Sequence, residues 1–556
     1  MSAGGQVAEA LPGSPAGLVV RFQGGRTASG PPTSGQANMI RCVLTDPPEH
    51  MNYGFVLTVP PGKTLDDVVA AVVLLISRHE SLRTTFRDGL QHVAGEGELV
   101  IGVHDSQGSA DLADEVAARL QAVRFDPEGE LPVRAAVTLS DGVPERVILV
   151  LTHTTVDAVG LSLLRVELNR LLFGETPEPV TAPQPLDVAW TERSPASLKR
   201  AQAAIEYWRT NLERIPRSTF TASVDDGDND WLMPRLQVRS TVAARALGRI
   251  GARTGVSRSA AVLAAYTLLA GLRSGQRTAV ALAISGNRFR PELRDYVGPL
   301  AQDALVPIDL DEPTFDGVLR RTRAAALAAY QNSRFDSDAL IQVMEEVQRS
   351  RGVFFARDIV FNDMSVHGQG RRAGRTEEYE QDVRSHWLPK ATMPTRVSLW
   401  VRTVEGEVDF TLWADPRCLP RADAEAFGEG IVRLLIEAAD RDVPLSEVSG
   451  LTGVVPLERG EGWTTIDACW VHLPEVERLV RDAVGDRPFH VTEDGGRLVC
   501  HLAGPVSPVE VHTACVGRLS GRMAAMAPHH YVVHDGAPAS PDGWAALPVL
   551  EEGTGR

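Results

Sequence analysis

The chain has 556 residues, with 56 Lys and Arg against 72 Asp and Glu, a formal net charge of −16. At about 150 residues per domain, that length suggests about three or four domain-sized units. A hydrophobic share of 43% against 23% charged residues is globular and allows a large core. The acidic balance argues against a nucleic-acid or anionic-membrane binder. No uncharged apolar run reaches the roughly 18 residues of a transmembrane helix, and no basic-then-apolar secretory signal opens the chain.

Five cysteines (Cys42, Cys418, Cys469, Cys500 and Cys515) are widely spaced without any CxxC. Structural zinc is therefore not expected, and the odd, sparse set fits reduced thiols in a cytoplasmic protein. The lysines are Lys63, Lys199 and Lys390, which removes most candidates for lysine chemistry.

In chain order, residues 1–33 are rich in Gly, Ala, Ser and Pro and read as a flexible segment, apart from a β-like run over 18–22. Residues 34–180 read as a first lobe. Within it, Thr64 caps a helix to Arg78 that carries Asp66 and Asp67 in its first turn. Residues 146–152 are apolar and β-branched and predict a buried strand. Residues 157–172 return to helical spacing, with Leu161, Leu164 and Leu168 on one face. A Pro-rich connection follows over 175–185.

Residues 181–450 read as a second lobe. An amphipathic helix over 197–212 is followed by alternating strands and helices, interrupted by a charged, glycine-rich loop at 366–382. Residues 451–556 read as a small α+β domain, folded from 464 onward and frayed over its last six residues.

The stretch Leu151-Thr-His153-Thr-Thr-Val-Asp157-Ala-Val-Gly160 carries the most chemistry. A strand ends, a His follows, and an Asp stands four residues later where a helix begins. A His at a strand end can act as a general base toward an amine or hydroxyl. HxxxD alone is also common by chance, and a satisfied structural histidine is the alternative.

The text around it resembles the condensation domains of nonribosomal peptide synthetases. Residues 78–86, Arg-His-Glu-Ser-Leu-Arg-Thr-Thr-Phe, are similar to the family's "RHExLRTxF" signature. Phe125-Asp-Pro-Glu-Gly-Glu-Leu-Pro-Val-Arg134 resembles the segment before the family's active-site strand, and Tyr207-Trp208 its "YW" helix. Asn287-Arg288-Phe-Arg-Pro291-Glu292-Leu, followed by Tyr296-Val-Gly298, resembles "NRxRPEL…IG". Gln331 with Arg334-Phe335, Phe361-Asn362 and residues 410–415 complete a collinear set over about 34–445.

The resemblance implies an α/β fold of two lobes, like chloramphenicol acetyltransferase, with the small α+β appendage added. It implies that His153, matching the second His of HHxxxDG, is catalytic. It implies that Asp157 faces away from the substrates and pairs with Arg288, in a contact that can be bidentate. The family's first His is Thr152 here and its Gly is Ala158, which would shift the helix start if that position needs a positive φ. The family's "FVNT" segment reads Leu300-Ala-Gln302-Asp303. Thr152, Ala158, Gly160, Gln302, Asp303 and Trp387 are candidates for the substrate channel.

The implied activity is that of a freestanding acyltransferase forming amide or ester bonds in natural-product biosynthesis. No bound cofactor is expected; the acyl or aminoacyl donor would arrive on the phosphopantetheine of a carrier protein in trans, docked on an Arg-rich patch. The acceptor would be a small molecule or itself carrier-bound. Transfer from acyl-CoA, and a catalytically silent recruitment module, are the alternatives.

Elsewhere, His529, His530 and His534 read as a strand with exposed imidazoles and no metal. His79 reads as a structural helix end, and Cys42 and Cys418 as unreactive. The C-terminal domain is similar to the small subdomain of adenylate-forming enzymes but has no lysine after Lys390, so adenylation is not expected.

Overall fold

The computed structural model describes residues 7–8, 17–107, 109, 111–222, 231–365 and 383–556, and the expected loop at 366–382 lies outside the described residues. The chain divides into two compact units, Met1–Ala201 with Ser285–Gln302, and Gln202–Ile284 with Asp303–Arg556. The division falls elsewhere than the boundaries expected after 180 and 450. Ser285–Gln302 goes with the first unit, and residues 451–556 are part of the second.

The first unit is built on a six-stranded sheet in the order Val7–Ala8, Gly17–Gln23, Glu96–Asp105, Val133–Ser140, Val143–Thr152, Asn52–Thr58. Glu96–Asp105 and Val133–Ser140 run parallel, and the other pairs antiparallel. Strand Val143–Thr152 sends Val147, Leu149 and Leu151 into a core with helices Leu65–Arg78 and Ala158–Leu172. It sends Ile148 and Val150 the other way, against helix Leu112–Gln121. Burial on both faces explains why its sequence is a continuous apolar run rather than an alternating one.

Thr64 caps helix Leu65–Arg78 reciprocally: its hydroxyl accepts the Asp67 N–H, and the Asp67 carboxylate accepts the Thr64 N–H. The helix ends at His79, whose Nε2 lies 2.8 Å from Glu167 Oε2. The β-like run over 18–22 is a strand, and the stretch from 23 to 33, expected to be flexible, is ordered as well. Gly17–Gln23 pairs along Glu96–Asp105 with Phe22 buried, and Ala28–Gly30 edges a three-stranded sheet with Leu90–Val93 and Thr84–Arg87.

The second unit has a seven-stranded sheet in the order Gln302–Asp309, Thr278–Ser285, Ile359–Asp363, Val397–Thr403, Val408–Ala414, Leu232–Ser240, Arg384–Thr392. Helices Thr241–Thr254, Arg258–Ser274, Phe315–Gln331 and Arg421–Glu437 contribute to its main core.

A second core joins residues 451–556 to that unit. Trp208, Val343 and Val347 pack in one cluster with Val476, Leu479, Leu502 and Tyr531. Arg217, buried in this contact, donates to the carbonyls of Trp470 (2.7 Å) and Met523 (3.0 Å). The hairpin Trp463–Ile466 with Cys469–His472 turns on two residues, Asp467 and Ala468, with φ of 48° and 61°. Two successive positive φ values match the twist of a two-residue hairpin, usually at Asn, Asp or Gly. Arg351 braces the turn, its Nε donating to Asp467 Oδ2 at 2.6 Å and its Nη2 to the Asp467 carbonyl at 2.9 Å.

The four-stranded sheet of this region runs Phe489–Asp494, Arg497–Ala503, His530–His534, Val549–Gly553. The expectation of exposed imidazoles fails for His534, which is 1% exposed. Its strand is paired on both sides, and its ring meets His501 (Nδ1 to Nε2, 3.0 Å) and Trp544. Nor is the end of the chain frayed: Val549–Gly553 is that sheet's edge strand.

No single helix among the described residues is long and apolar enough to cross a membrane. Among them, no group of three or more His, Cys, Asp or Glu side chains is placed to hold a metal ion. None of the five cysteines is in a disulfide; Cys42 is half-buried on helix Ser34–Thr45, and the other four are buried in the second unit. Burial pushes the Cys418 and Cys515 thiols up to about 12.

Candidate active site

The first unit brings His153, Asp157 and Arg288 together. Strand Val143–Thr152 ends one residue before His153, whose backbone N–H donates to the Met51 carbonyl at 2.9 Å, just ahead of strand Asn52–Thr58. The strand's alternation sets the imidazole on the face of Leu149 and Leu151. There its ring packs against Tyr53, centroids 4.7 Å apart and planes tilted by 50°.

His153 Nδ1 is buried without a hydrogen-bond partner of ordinary geometry. Burial pulls the imidazole pKa below its usual value; the carbonyls of His153 and Val156 and the charge of Asp157 oppose that pull. The balance favours a neutral ring, the form that can accept a proton.

Asp157 is turned from the imidazole into a different task. It is the N-cap of helix Ala158–Leu172, and its Oδ1 accepts the Gly160 N–H at 2.9 Å. The same oxygen takes Arg288 Nη2 at 2.7 Å, and Oδ2 accepts the Leu300 N–H at 3.1 Å. The pair is thus made through one nitrogen and one oxygen, not bidentate. Arg288 spends its other Nη on the carbonyls of Leu293 (2.9 Å) and Tyr296 (2.7 Å). The two side chains are 4% and 6% exposed, so each charge depends on the other for compensation.

Arg288 is aimed by the residue before it. Asn287 is buried with φ of 52°, and its Nδ2 donates to the Leu300 carbonyl at 2.9 Å. Asn tolerates this left-handed conformation better than most residues. The substitution at Ala158 costs nothing of the kind: Ala158 is the first helical residue and is not among the residues with positive φ. At Gly160 a Cβ would meet the Gly298 nitrogen at 3.5 Å, an ordinary contact.

Thr152 lies on the opposite face, as the cross-strand partner of Asn52. Its hydroxyl, like those of Thr154 and Thr155, is buried without a partner, and so is Asn52 Oδ1. Asn52 Nδ2 bonds the carbonyls of Gln121 (2.8 Å) and Val123 (2.9 Å). Gln302 is buried at the start of its strand. Asp303 and Trp387 find their partners inside the second unit. Asp303 is in a two-bond ion pair with Arg357, both bonds 2.9 Å. Trp387 donates its indole N–H to Glu425 at 2.6 Å beneath the guanidinium of Arg421.

Tyr53, Asn287 and Leu300 surround the site without having been singled out from the sequence. Asn287 stood inside the quoted motif. Leu300 likewise stood at the start of the segment 300–303, whereas Tyr53 depends on strand register, for which the text holds no local signal.

A family model described as "Condensation domain" matches residues 41–441. Cyclosporin synthetase simA of Tolypocladium inflatum is 28% identical over 371 residues, which cover 62% of this chain and 2% of that protein. Tyrocidine synthase 3 of Brevibacillus parabrevis is 25% identical over 405 residues, 69% of this chain and 6% of that one. This chain thus spans only a few per cent of the length of these curated relatives. Among solved structures, the X-domain from teicoplanin biosynthesis aligns with a TM-score of 0.61 at 17% identity, covering 76% of this chain and 98% of that one. The condensation domain of the Monacolin K polyketide synthase MokA aligns at 0.59 and 18%, covering 75% and 99%. SgcC5 of Streptomyces globisporus aligns at 0.55 and 18%, covering 75% and 100%. These likenesses are of fold, and the two-lobed α/β fold expected from the sequence is the one they share.

Proposed function

The chain belongs to the condensation domain family, and on that premise we propose that it is an acyltransferase. It joins an acyl or aminoacyl thioester, held on the phosphopantetheine arm of a carrier protein, to an amine or alcohol. The observation that carries the reading is the division of labour around His153. Its imidazole is buried at the strand end and kept neutral with Nδ1 unpartnered, while Asp157 is committed to Arg288 and Leu300.

In this mechanism the Nδ1 proton of the neutral ring is turned toward the nearby backbone carbonyls, and the Nε2 lone pair faces the acceptor. Nε2 takes the proton as the nitrogen or oxygen attacks the thioester carbonyl. The C–S bond then breaks, and the imidazolium returns the proton to the departing thiolate. Asp157 and Arg288 hold the loop that carries the base rather than relaying protons. A positioned base is worth about 10²–10⁴-fold in rate, with orientation of the two substrates adding to it.

The test is turnover of carrier-bound thioesters by the wild-type chain and His153→Ala. A loss of about 10²–10⁴-fold with an unchanged melting temperature supports the assignment; near-wild-type turnover rejects it. Equal use of the same acyl group on CoA favours the CoA-dependent alternative. The recruitment reading draws on the orphaned hydroxyls of Thr152, Thr154 and Thr155. It is preferred if the wild-type chain turns over no donor yet retains a carrier protein.

A further inference from the structure

We propose that Tyr53 is a positioning residue for His153, and that its ring, not its hydroxyl, does the positioning; the proposal rests on His153 being the base. Tyr53 is the cross-strand partner of Leu151 in the antiparallel pair of Asn52–Thr58 with Val143–Thr152. His153 is two residues beyond Leu151, hence on the same face and diagonal to Tyr53. Diagonal neighbours are about 7–8 Å apart at Cα, within reach of aromatic side chains. The observed ring separation of 4.7 Å is this diagonal contact made.

Two further observations point to the ring. Among the described residues the Tyr53 hydroxyl has no hydrogen-bond partner, so the ring contact is what links it to His153. On the His153 ring, Nδ1 is buried with the carbonyls of His153 and Val156 acting on it and no hydrogen bond of ordinary geometry. Backbone contacts fix its Cα, through the N–H to Met51, but not its side-chain torsions. Packing therefore takes a large part in selecting one rotamer, and the Tyr53 ring is in direct contact with it. The tilted geometry covers part of the imidazole face.

The same ring contributes to the desolvation that keeps His153 neutral. The charged group acting on the imidazole is Asp157, from the helix start, itself paired with Arg288. Tyr53 on the strand is held uncharged, because burial and the Asp157 carboxylate push its phenol pKa up.

The experiment uses the full chain with labelled histidine, His153 assigned by His153→Gln, and three proteins: wild type, Tyr53→Phe and Tyr53→Met. Met fills similar space without a ring. Tyr53→Phe should keep kcat, KM and the upfield ring-current shift of the His153 ring protons. Tyr53→Met should lose that shift, lower kcat about ten- to hundredfold with KM little changed, and raise the His153 pKa toward its ordinary value. Ordinary His153 shifts in the wild type overturn the proposal, as does a Tyr53→Met protein with wild-type kcat and His153 titration. Loss of activity in Tyr53→Phe would assign the role to the hydroxyl and overturn it equally. If Tyr53→Met does not fold, the comparison of wild type with Tyr53→Phe still decides. Should His153→Ala keep its turnover, the base reading fails while the resonances report the ring contact independently.

Discussion

Asp157 and Leu300, 143 positions apart in the chain, are joined by a buried hydrogen bond from the Leu300 N–H to Oδ2 at 3.1 Å. The Leu300 carbonyl receives Asn287 Nδ2 in turn, so both ends of one residue are clamped. The loop after the catalytic candidate and the loop bearing Arg288 are thereby fixed to each other inside the first unit.

Asp157→Asn should therefore cost more than its small change in shape suggests. It keeps a capping side chain but strands the Arg288 guanidinium, a loss of about 3–5 kcal/mol in urea unfolding. Arg288→Met should cost a similar amount. The double variant should fall short of the sum of the two by at least about 1 kcal/mol. Strict additivity would mean that the pair is not coupled.

Much around this loop was legible beforehand. Thr64 and Asp157 announce helix starts because capping is a local property of a few residues. The collinear motifs located His153 and Arg288 in the same way. What stayed hidden is long-range. Tyr53 reaches His153 through strand register, and a one-residue slip would reverse its face. The run over 18–22 reads as β-like, but its partner strand Glu96–Asp105, against which Phe22 is buried, lies far along the chain. His534 looked exposed because a short strand does not announce whether sheet neighbours lie on both sides.

Asn287 offers a graded test of backbone strain. Asn287→Gly loses the buried bond to Leu300 but accepts the positive φ, and should cost about 1 kcal/mol. Asn287→Ala loses both and should cost about 2 kcal/mol or more. Chemical denaturation that ranks Ala above Gly in stability would contradict the conformation described.

The pH dependence follows from His153. Burial disfavours its imidazolium, so the folded pKa lies below the ordinary value of about 6.5. The base form therefore persists as the pH falls through that value. The acidic limb of kcat/KM should reach half-height below about pH 6.5. A midpoint above it would mean that an imidazolium-stabilising partner dominates instead.

Ala468 is the residue least suited to its place, the second of two positive-φ positions in the Asp467–Ala468 turn. Ala468→Gly should stabilise the second unit by about 1 kcal/mol, read as a rise in the denaturation midpoint. A loss on the same substitution would show that flexibility gained by the unfolded chain outweighs relief of the turn.

The cysteines make the two units separately readable. Cys42 is the single thiol in the first unit and is half-buried, while Cys418, Cys469, Cys500 and Cys515 are enclosed in the second. At neutral pH a maleimide pulse on the native chain will modify Cys42 ahead of the rest. Mass spectrometry can then count each further adduct as an opening of the second unit. A chain with no introduced probe thus carries a clock for how often residues 451–556 part from the core they share.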